Sequence, residues 1–103
     1  MTNLEALQAM LEYENDNLLT KALLDRSVTA TTTYAAAQQK GVELAAADIY
    51  LVLLNHPKYR AGSRFIEYSN ADLLSLRRTL LKKHGELSAT ISVPQDSRNN
   101  QSW

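Results

Sequence analysis

The chain contains no cysteine and only three glycines among its 103 residues. Without cysteine there is no disulfide framework and no thiol nucleophile, and a zinc site would have to rest on His56, His84 and carboxylates. Gly41, Gly62 and Gly85 stand alone, so no glycine-rich phosphate loop is present. No serine or threonine lies in a nucleophile-elbow context. The sequence therefore predicts no enzyme, no metal and no cofactor.

Targeting and membrane segments are also missing. The first residues, MTNLEALQAMLEYEND, lack the basic region and the continuous apolar run of a signal peptide. The longest nearly apolar stretch is LAAADIYLVLL at 44–54, which is too short for a membrane span and contains Asp48. We expect no membrane partner. We also expect the protein to be synthesised and to fold in a cytoplasm.

The net charge is zero, but the charges are unevenly distributed along the chain. Residues 1–50 hold seven acids and three bases, a net −4, whereas residues 51–103 hold four acids and eight bases, a net +4. Such halves can compensate each other or the helix dipoles within one monomer. They can equally attract neighbouring copies head to tail in a ring or stack.

Apolar periodicity predicts four helices, over roughly 3–13, 17–26, 32–55 and 70–84. Thr2 and Glu5 form a capping box at the first, Asp16 or Asn17 can cap the second, and a threonine near 31 or 32 can cap the third. The second half of the long third helix is apolar on almost every side. Such a helix is predicted to be central, surrounded by other helices or by a second subunit.

Two short segments have the character of strands. RFIEY at 64–68 is rich in β-formers, and LSATISV at 87–93 alternates strictly between apolar and hydroxyl residues. These segments could pair with each other, or the second could add to a partner's sheet. The predicted fold is mainly α: a four-helix bundle-like domain over 1–86, with a long central helix, followed by an extended arm and polar tail over 87–103.

The linker between the third and fourth helices carries three cations and three aromatic rings within residues 57–68. Tyr59, between Lys58 and Arg60, is typical of an interface anchor, although its ring could instead lie back on the fourth helix. Trp103 ends a polar tail that offers it no apolar cover, which favours docking on a partner. The predicted partner interface comprises Lys58, Tyr59, Arg60, Arg64, Phe65, Tyr68, Ile91, Val93, Arg98 and Trp103.

Other charged residues allow further interpretations. Asp48 lies in an apolar helix and needs a partner such as Arg64 or another base, because burying a lone carboxylate is costly. His56 and His84 precede proline and glycine, as expected of helix C-caps. A basic cluster, Arg77, Arg78, Lys82 and Lys83, could face DNA, or could simply complement the dipole at a helix end. The second interpretation of the chain is accordingly a small intracellular binding module or regulator that contacts nucleic acid weakly.

Three segments carry a resemblance to a known family: ALLDRSVTATTTY at 22–34, VELAAADIYLVLL at 42–54 and KKHG at 82–85. With the order of elements over residues 18–86, they resemble small helical head–tail connector (adaptor) proteins of tailed bacteriophages, including those of Bacteroides phages and prophages. One departure is Ser27, where such proteins tend to place glycine.

The resemblance implies a non-enzymatic virion protein of the phage neck. Such subunits form rings, commonly of twelve copies, between the portal and the tail, and the genome passes through them. The expected partners are further copies of the chain, the portal protein, other neck or tail proteins and, non-specifically, passing DNA. The expected location is the virion, with the host cytoplasm during assembly.

Overall fold

The computed structural model describes residues 1–86, and over that range the protein is mainly helical, as predicted. Four α-helices follow one another: α1 Asn3–Leu11, α2 Asp16–Asp25, α3 Gln39–Asn55 and α4 Asn70–Lys83. Single 3-10 turns occur at Ala36–Gln38, Pro57–Arg60 and Arg64–Glu67. The predicted strand at 87–93 and the predicted interface residues Ile91, Val93, Arg98 and Trp103 lie outside the described residues. Within residues 1–86, none of the helices has the length and hydropathy needed to cross a bilayer.

Helix α3 is the centre of the fold, and α1, α2 and α4 all pack against it. The core contains fully buried leucine and isoleucine side chains from every helix, among them Leu7, Leu23, Ile49, Leu53 and Leu73. Burial of such side chains is the main stabilising term in a chain of this size. The prediction of a central third helix is confirmed.

The predicted start of α3 was wrong, because residues 29–34 are used by the N-terminus of α1. The amides of Asn3 and Leu4 donate to the carbonyls of Thr32 (2.9 Å) and Ala30 (3.0 Å). The first amides of a helix have no partner within it, so this loop satisfies two of them, and the Thr2 capping box supplies another acceptor. Helix α3 therefore begins only at Gln39.

The predicted strand at 64–68 was also wrong. Residues 64–67 form a 3-10 turn, capped by the Ser63 hydroxyl, which accepts from the Phe65 amide at 3.2 Å. The turn directs Phe65 into the core, where its side chain is fully buried. Tertiary packing of one ring thus overrides the β propensity of its neighbours, and no strand exists at this position for residues 87–93 to pair with.

Helix α2 ends in a Schellman motif, in which two amides beyond the helix bond to carbonyls of its last turn. The Ser27 amide donates to Leu24 O at 2.8 Å, and the Val28 amide donates to Leu23 O at 2.9 Å. This motif requires a left-handed residue, and Ser27 has φ 60. Helix α4 ends in the same way, but there the left-handed residue is Gly85, with φ 74.

The two helix ends provide a matched prediction. Ser27→Gly should raise the free energy of unfolding by about 0.5–1 kcal/mol, because it removes the steric penalty of the left-handed conformation. Gly85→Ala should lower it by about 1 kcal/mol, because it introduces that penalty. Urea denaturation followed by circular dichroism measures both values. A Ser27→Gly variant less stable than the wild type would show that the serine side chain is needed at this turn.

Candidate interaction surfaces

Arg60 in the linker is buried and binds three parts of the fold. Its Nε donates to the carbonyl of Leu53 in the last turns of α3 at 2.9 Å. Its Nη1 donates to Tyr68 O at 2.9 Å, and its Nη2 donates to Asn70 Oδ1 at 3.0 Å, where α4 begins. A cation near the end of α3 also complements the helix dipole. Arg60 therefore joins α3, the linker and α4 inside the protein, which corrects the prediction that it lies on a partner interface.

Phe65 is the centre of an aromatic cluster. Its ring makes edge-on contacts with Tyr13, Tyr50 and Tyr68, at centroid separations of 6.2, 5.9 and 5.0 Å. This geometry suits the ring quadrupoles and adds to the apolar area that the cluster buries. The Tyr13 hydroxyl donates to Tyr59 O at 2.8 Å, so the cluster also anchors the linker backbone. Phe65 is a core residue, and its predicted place on a partner interface was wrong.

Arg64 binds the linker to the end of α1. Its Nε donates to Leu11 O at 3.1 Å, and its Nη1 donates to the Tyr68 hydroxyl at 2.9 Å. The guanidinium lies 4.6 Å from the centroid of Phe65 and 5.7 Å from that of Tyr68. Arg64 is exposed, but it is engaged within its own chain and does not pair with Asp48.

Lys58 and Tyr59 remain at the surface. Lys58 is exposed, with its Nζ 5.4 Å from the Tyr59 ring centroid. Tyr59 is half-buried and contacts the ring of His56, the C-cap residue of α3, at a centroid separation of 5.9 Å. Tyr68, another predicted interface residue, is also half-buried; its ring contacts Phe65 and its hydroxyl accepts from Arg64.

Asp48 has the basic partners that its position requires. Arg26 at the end of α2 binds it through two hydrogen bonds, Nε–Oδ2 at 2.7 Å and Nη2–Oδ1 at 2.8 Å. Arg77 of α4 lies 3.5 Å from Oδ1 and donates to Ala47 O at 2.9 Å. The hydrogen bond to Asp48 raises the pKa of the Arg26 guanidinium. The structure therefore engages Arg77, a predicted DNA-facing residue, in an internal contact.

Glu43 of α3 is a second acceptor for α4. Its buried carboxylate lies 2.9 Å from Lys83 Nζ and 2.7 Å from His84 Nε2, and it accepts from Gln39 at 3.1 Å. Burial opposes ionisation, but the bonds from Lys83, Gln39 and His84 outweigh it and lower the pKa of Glu43 below its ordinary value of 4.5. Lys83 is thus engaged internally as well.

The Glu43 cluster predicts a pH-dependent stability. Since the pKa of Glu43 is lower in the folded protein, its ionised form stabilises the fold above about pH 4.5, and this stabilisation is lost as the pH falls through the folded pKa. Glu43→Gln should therefore be less stable than the wild type at pH 7, and the difference should shrink between about pH 5 and pH 3. Denaturant unfolding of both proteins across this range measures it. A difference that stays constant would contradict the assignment.

Two groups of exposed charges of opposite sign lie at different places on the fold. Arg78 and Lys82 are exposed one turn apart on α4, and neither pairs with a carboxylate within residues 1–86; we call them the basic face. Glu12, Glu14 and Asp16 are exposed where α1 gives way to α2; we call them the acidic corner. Internal pairing thus uses part of the charge asymmetry of the sequence and leaves two patches of opposite sign on different helices.

A groove with a volume of about 380 Å³ runs between α2 and α3. Its walls are largely apolar and include Leu18 and Ala22 from α2, Leu51 and Val52 from α3, and Tyr59 from the linker. Leu51 and Val52 are only half-buried. Leu51 and Val52 are thus apolar residues of the central helix that the other described helices cover incompletely.

A family profile with the description family of unknown function (DUF6706) matches residues 1–100. The chain belongs to this family. The match includes the whole helical unit and most of the segment that follows it. No curated protein and no solved structure matches the chain significantly. Among residues 1–86, no three His, Asp or Glu side chains are grouped closely enough to bind a metal ion.

Proposed function

We propose that the protein is a non-enzymatic structural subunit of a phage virion, a head–tail connector that forms a ring, of twelve copies, between the portal and the tail. The observation that carries this proposal is that one small subunit has both an acidic corner, Glu12, Glu14 and Asp16, and a basic face, Arg78 and Lys82. Complementary patches at different places on a chain favour head-to-tail contacts, which close into a ring when the rotation permits.

Two further features support the proposal. The order of elements over residues 18–86 resembles that of small head–tail connectors. Tyr59 also leaves part of its ring on the protein surface, and tyrosine is enriched where protein partners meet. In this proposal the partners are neighbouring copies, the portal protein and other neck or tail proteins, and passing DNA meets the inner surface of the ring.

A charge-swap experiment tests the head-to-tail contact. Glu12→Lys/Glu14→Lys and Arg78→Glu/Lys82→Glu should each abolish ring formation on the portal protein of the same phage. An equimolar mixture of the two variants should regain pairwise association, because the reversed corner of one then meets the reversed face of the other. Analytical ultracentrifugation at low and high salt measures association, and Lys40→Glu, an exposed change outside both patches, is the control.

The connector proposal would be overturned if the wild-type protein stays monomeric at every concentration and does not bind the portal. It would also be overturned if the charge reversals behave like the control. In either case the charged patches would have no role in assembly.

A specific observation favours a second candidate, a small intracellular module that contacts nucleic acid. Arg78 and Lys82 are exposed and make no ion pair within the described part of the chain, whereas Arg77 and Lys83 are engaged with Asp48 and Glu43. With two free cations, the affinity for DNA should be weak. A plot of the logarithm of the binding constant against the logarithm of the salt concentration should fall with a slope of about 2 or less in magnitude. This candidate would be supported if the monomer is retained on DNA and does not bind the portal. The Arg78→Ala/Lys82→Ala variant should then lose the DNA binding.

A further inference from the structure

The groove between α2 and α3 is suited to an apolar side chain. Leu18 and Ala22 line it from α2, and the half-buried Leu51 and Val52 line it from α3. These side chains would lose further contact with water if an apolar group entered the groove, and that burial would stabilise the contact.

The carboxylate and ammonium groups that line the groove already have partners. Asp25 pairs with Lys21 at 2.7 Å, and Asp48 pairs with Arg26 at 2.7 Å. A charged occupant would have to displace one of these pairs, whereas an apolar occupant leaves both intact. The groove therefore favours an apolar group over an ion.

One end of the groove adjoins the acidic corner. Tyr59 lines the groove, and it also lines a polar cleft of about 710 Å³ whose other walls include Glu12, Glu14 and Asn15. The lining of this cleft contains one cation, Lys58, beside the two acidic side chains. An apolar surface and a net acidic surface therefore meet at Tyr59.

Helix α4 carries a ridge with the complementary pattern. Leu74, Arg78 and Lys82 are exposed and follow one another at intervals of four residues, so they lie along one side of the helix. Leu74 is a large apolar side chain that is 42% exposed. The two cations lie about 6 and 12 Å beyond it along the helix axis. We call these three residues the α4 ridge, which is apolar at one end and positively charged at the other.

We propose that the α4 ridge of one copy docks on the α2–α3 groove of the next copy. Leu74 enters the groove near Tyr59, and Arg78 and Lys82 lie over the acidic corner. Each surface has an apolar part beside a charged part, and the two charged parts have opposite signs.

The two surfaces belong to different helices of the same chain, so the contact is heterologous and can repeat from copy to copy. This inference rests on the head-to-tail contact of the proposed function. It adds to that contact an apolar anchor, Leu74, and the groove that receives it.

Disulfide trapping between two single-cysteine variants tests the contact, because the natural chain has no cysteine. Leu74→Cys is mixed with Val52→Cys in the full chain, with and without a portal protein encoded in the same genome. The matched control uses Thr79→Cys in place of Leu74→Cys, since Thr79 is exposed on the same helix but lies about 140° around it from Leu74. Glutathione disulfide is the oxidant, and intact mass distinguishes the heterodimer from the two homodimers.

We expect the heterodimer of Leu74→Cys and Val52→Cys to form about tenfold faster or more than the control heterodimer, because docking gives the two thiols a high effective concentration. Homodimers of Val52→Cys that form equally fast would overturn the inference and show that two grooves face each other. Heterodimer rates equal to those of the control, or no cross-link under either condition, would also overturn it.

Removal of the Leu74 side chain separates this inference from the connector proposal. Leu74→Ala keeps both cations of the α4 ridge, and it should weaken association of the copies about tenfold or more, because the apolar area that the contact buries is lost. Ile66→Ala is the control, since Ile66 is 56% exposed but does not belong to the ridge, and it should leave association unchanged. Analytical ultracentrifugation measures association, and circular dichroism checks that each variant is folded.

The outcomes of this comparison are distinct. If Leu74→Ala associates like the wild type while Arg78→Glu/Lys82→Glu does not associate, the apolar contact is wrong and the connector proposal stands. If the wild-type protein itself never associates, both are overturned.

Discussion

Replacing Arg60 with alanine is expected to lower the free energy of unfolding by roughly 3–5 kcal/mol. The change removes the charged donor from the buried carbonyl of Leu53 and from two part-buried acceptors, the Tyr68 carbonyl and the Asn70 side chain. An unsatisfied buried acceptor costs about 1–3 kcal/mol; loss of the other two charge-assisted bonds adds to this cost, and loss of the buried side chain itself leaves a cavity. Denaturant unfolding monitored by circular dichroism measures the effect.

Lys58→Ala is the control for Arg60, because Lys58 belongs to the same turn but is exposed. Its removal should leave the stability nearly unchanged. Arg60→Lys should lie between the two, since an ammonium group cannot reproduce the planar fork that reaches three acceptors. If Arg60→Ala were as stable as Lys58→Ala, Arg60 would not join α3 to α4 in the way described.

Phe65→Ala is expected to cost about 3–5 kcal/mol. The ring is fully buried, and its removal leaves a cavity facing Tyr13, Tyr50 and Tyr68. Arg64 also loses the ring beneath its guanidinium. We expect a lower denaturation midpoint with an unchanged slope, because the surface exposed on unfolding stays nearly the same.

Ile66 provides the matched control, because it is adjacent in the chain and 56% exposed. Ile66→Ala should change the stability by about 0.5 kcal/mol or less, as is usual for a surface substitution. Equal costs for Phe65→Ala and Ile66→Ala would mean that the turn at 64–67 does not direct one ring inward and leave its neighbour outside.

The cations and rings of the linker thus have a mainly internal role. Arg60 and Arg64 bind backbone carbonyls near the ends of α3 and α1, and Phe65 fills the space between the helices. The composition of the linker is similar to that of a docking loop because both uses need aromatic rings and guanidinium groups. Sequence alone did not separate these uses, since both depend on the same residue types and only burial distinguishes them.

Local signals in the sequence were sufficient for much of the fold. The Thr2 capping box, the C-cap positions of His56 and His84, and the central place of the third helix all follow from short-range patterns, and the structure confirms them. The second helix was predicted correctly except for its cap, which is Asn15 rather than Asp16 or Asn17. The need of Asp48 for a basic partner also follows from its apolar surroundings.

Contacts between distant segments account for what was missed. The delayed start of α3 depends on hydrogen bonds from the first residues of the chain to residues 30–32, and no local pattern encodes them. The partners of Asp48 and Glu43 are likewise set by how α2 and α4 pack on α3. Periodicity shows that these helices exist, but not which residues of two helices are opposite each other, so the groove and the acidic corner were also missed.

The opposite charges of the two halves of the sequence were interpreted either as compensation within one monomer or as attraction between neighbouring copies. The ion pairs of Glu43 and Asp48 with Lys83 and Arg77 join the acidic half of the chain to the basic half within one molecule. The acidic corner and the basic face make no such ion pairs within residues 1–86. The proposed ring depends on these remaining charges and not on the total charge of each half.

Imaging of the purified protein mixed with a portal protein encoded in the same genome is the most direct test of the connector proposal. Negative-stain electron microscopy should show a collar of subunits on one end of the portal, and Arg78→Glu/Lys82→Glu should abolish the collar while leaving the monomer folded. Bare portals at saturating concentrations of the folded wild-type protein would contradict the proposal.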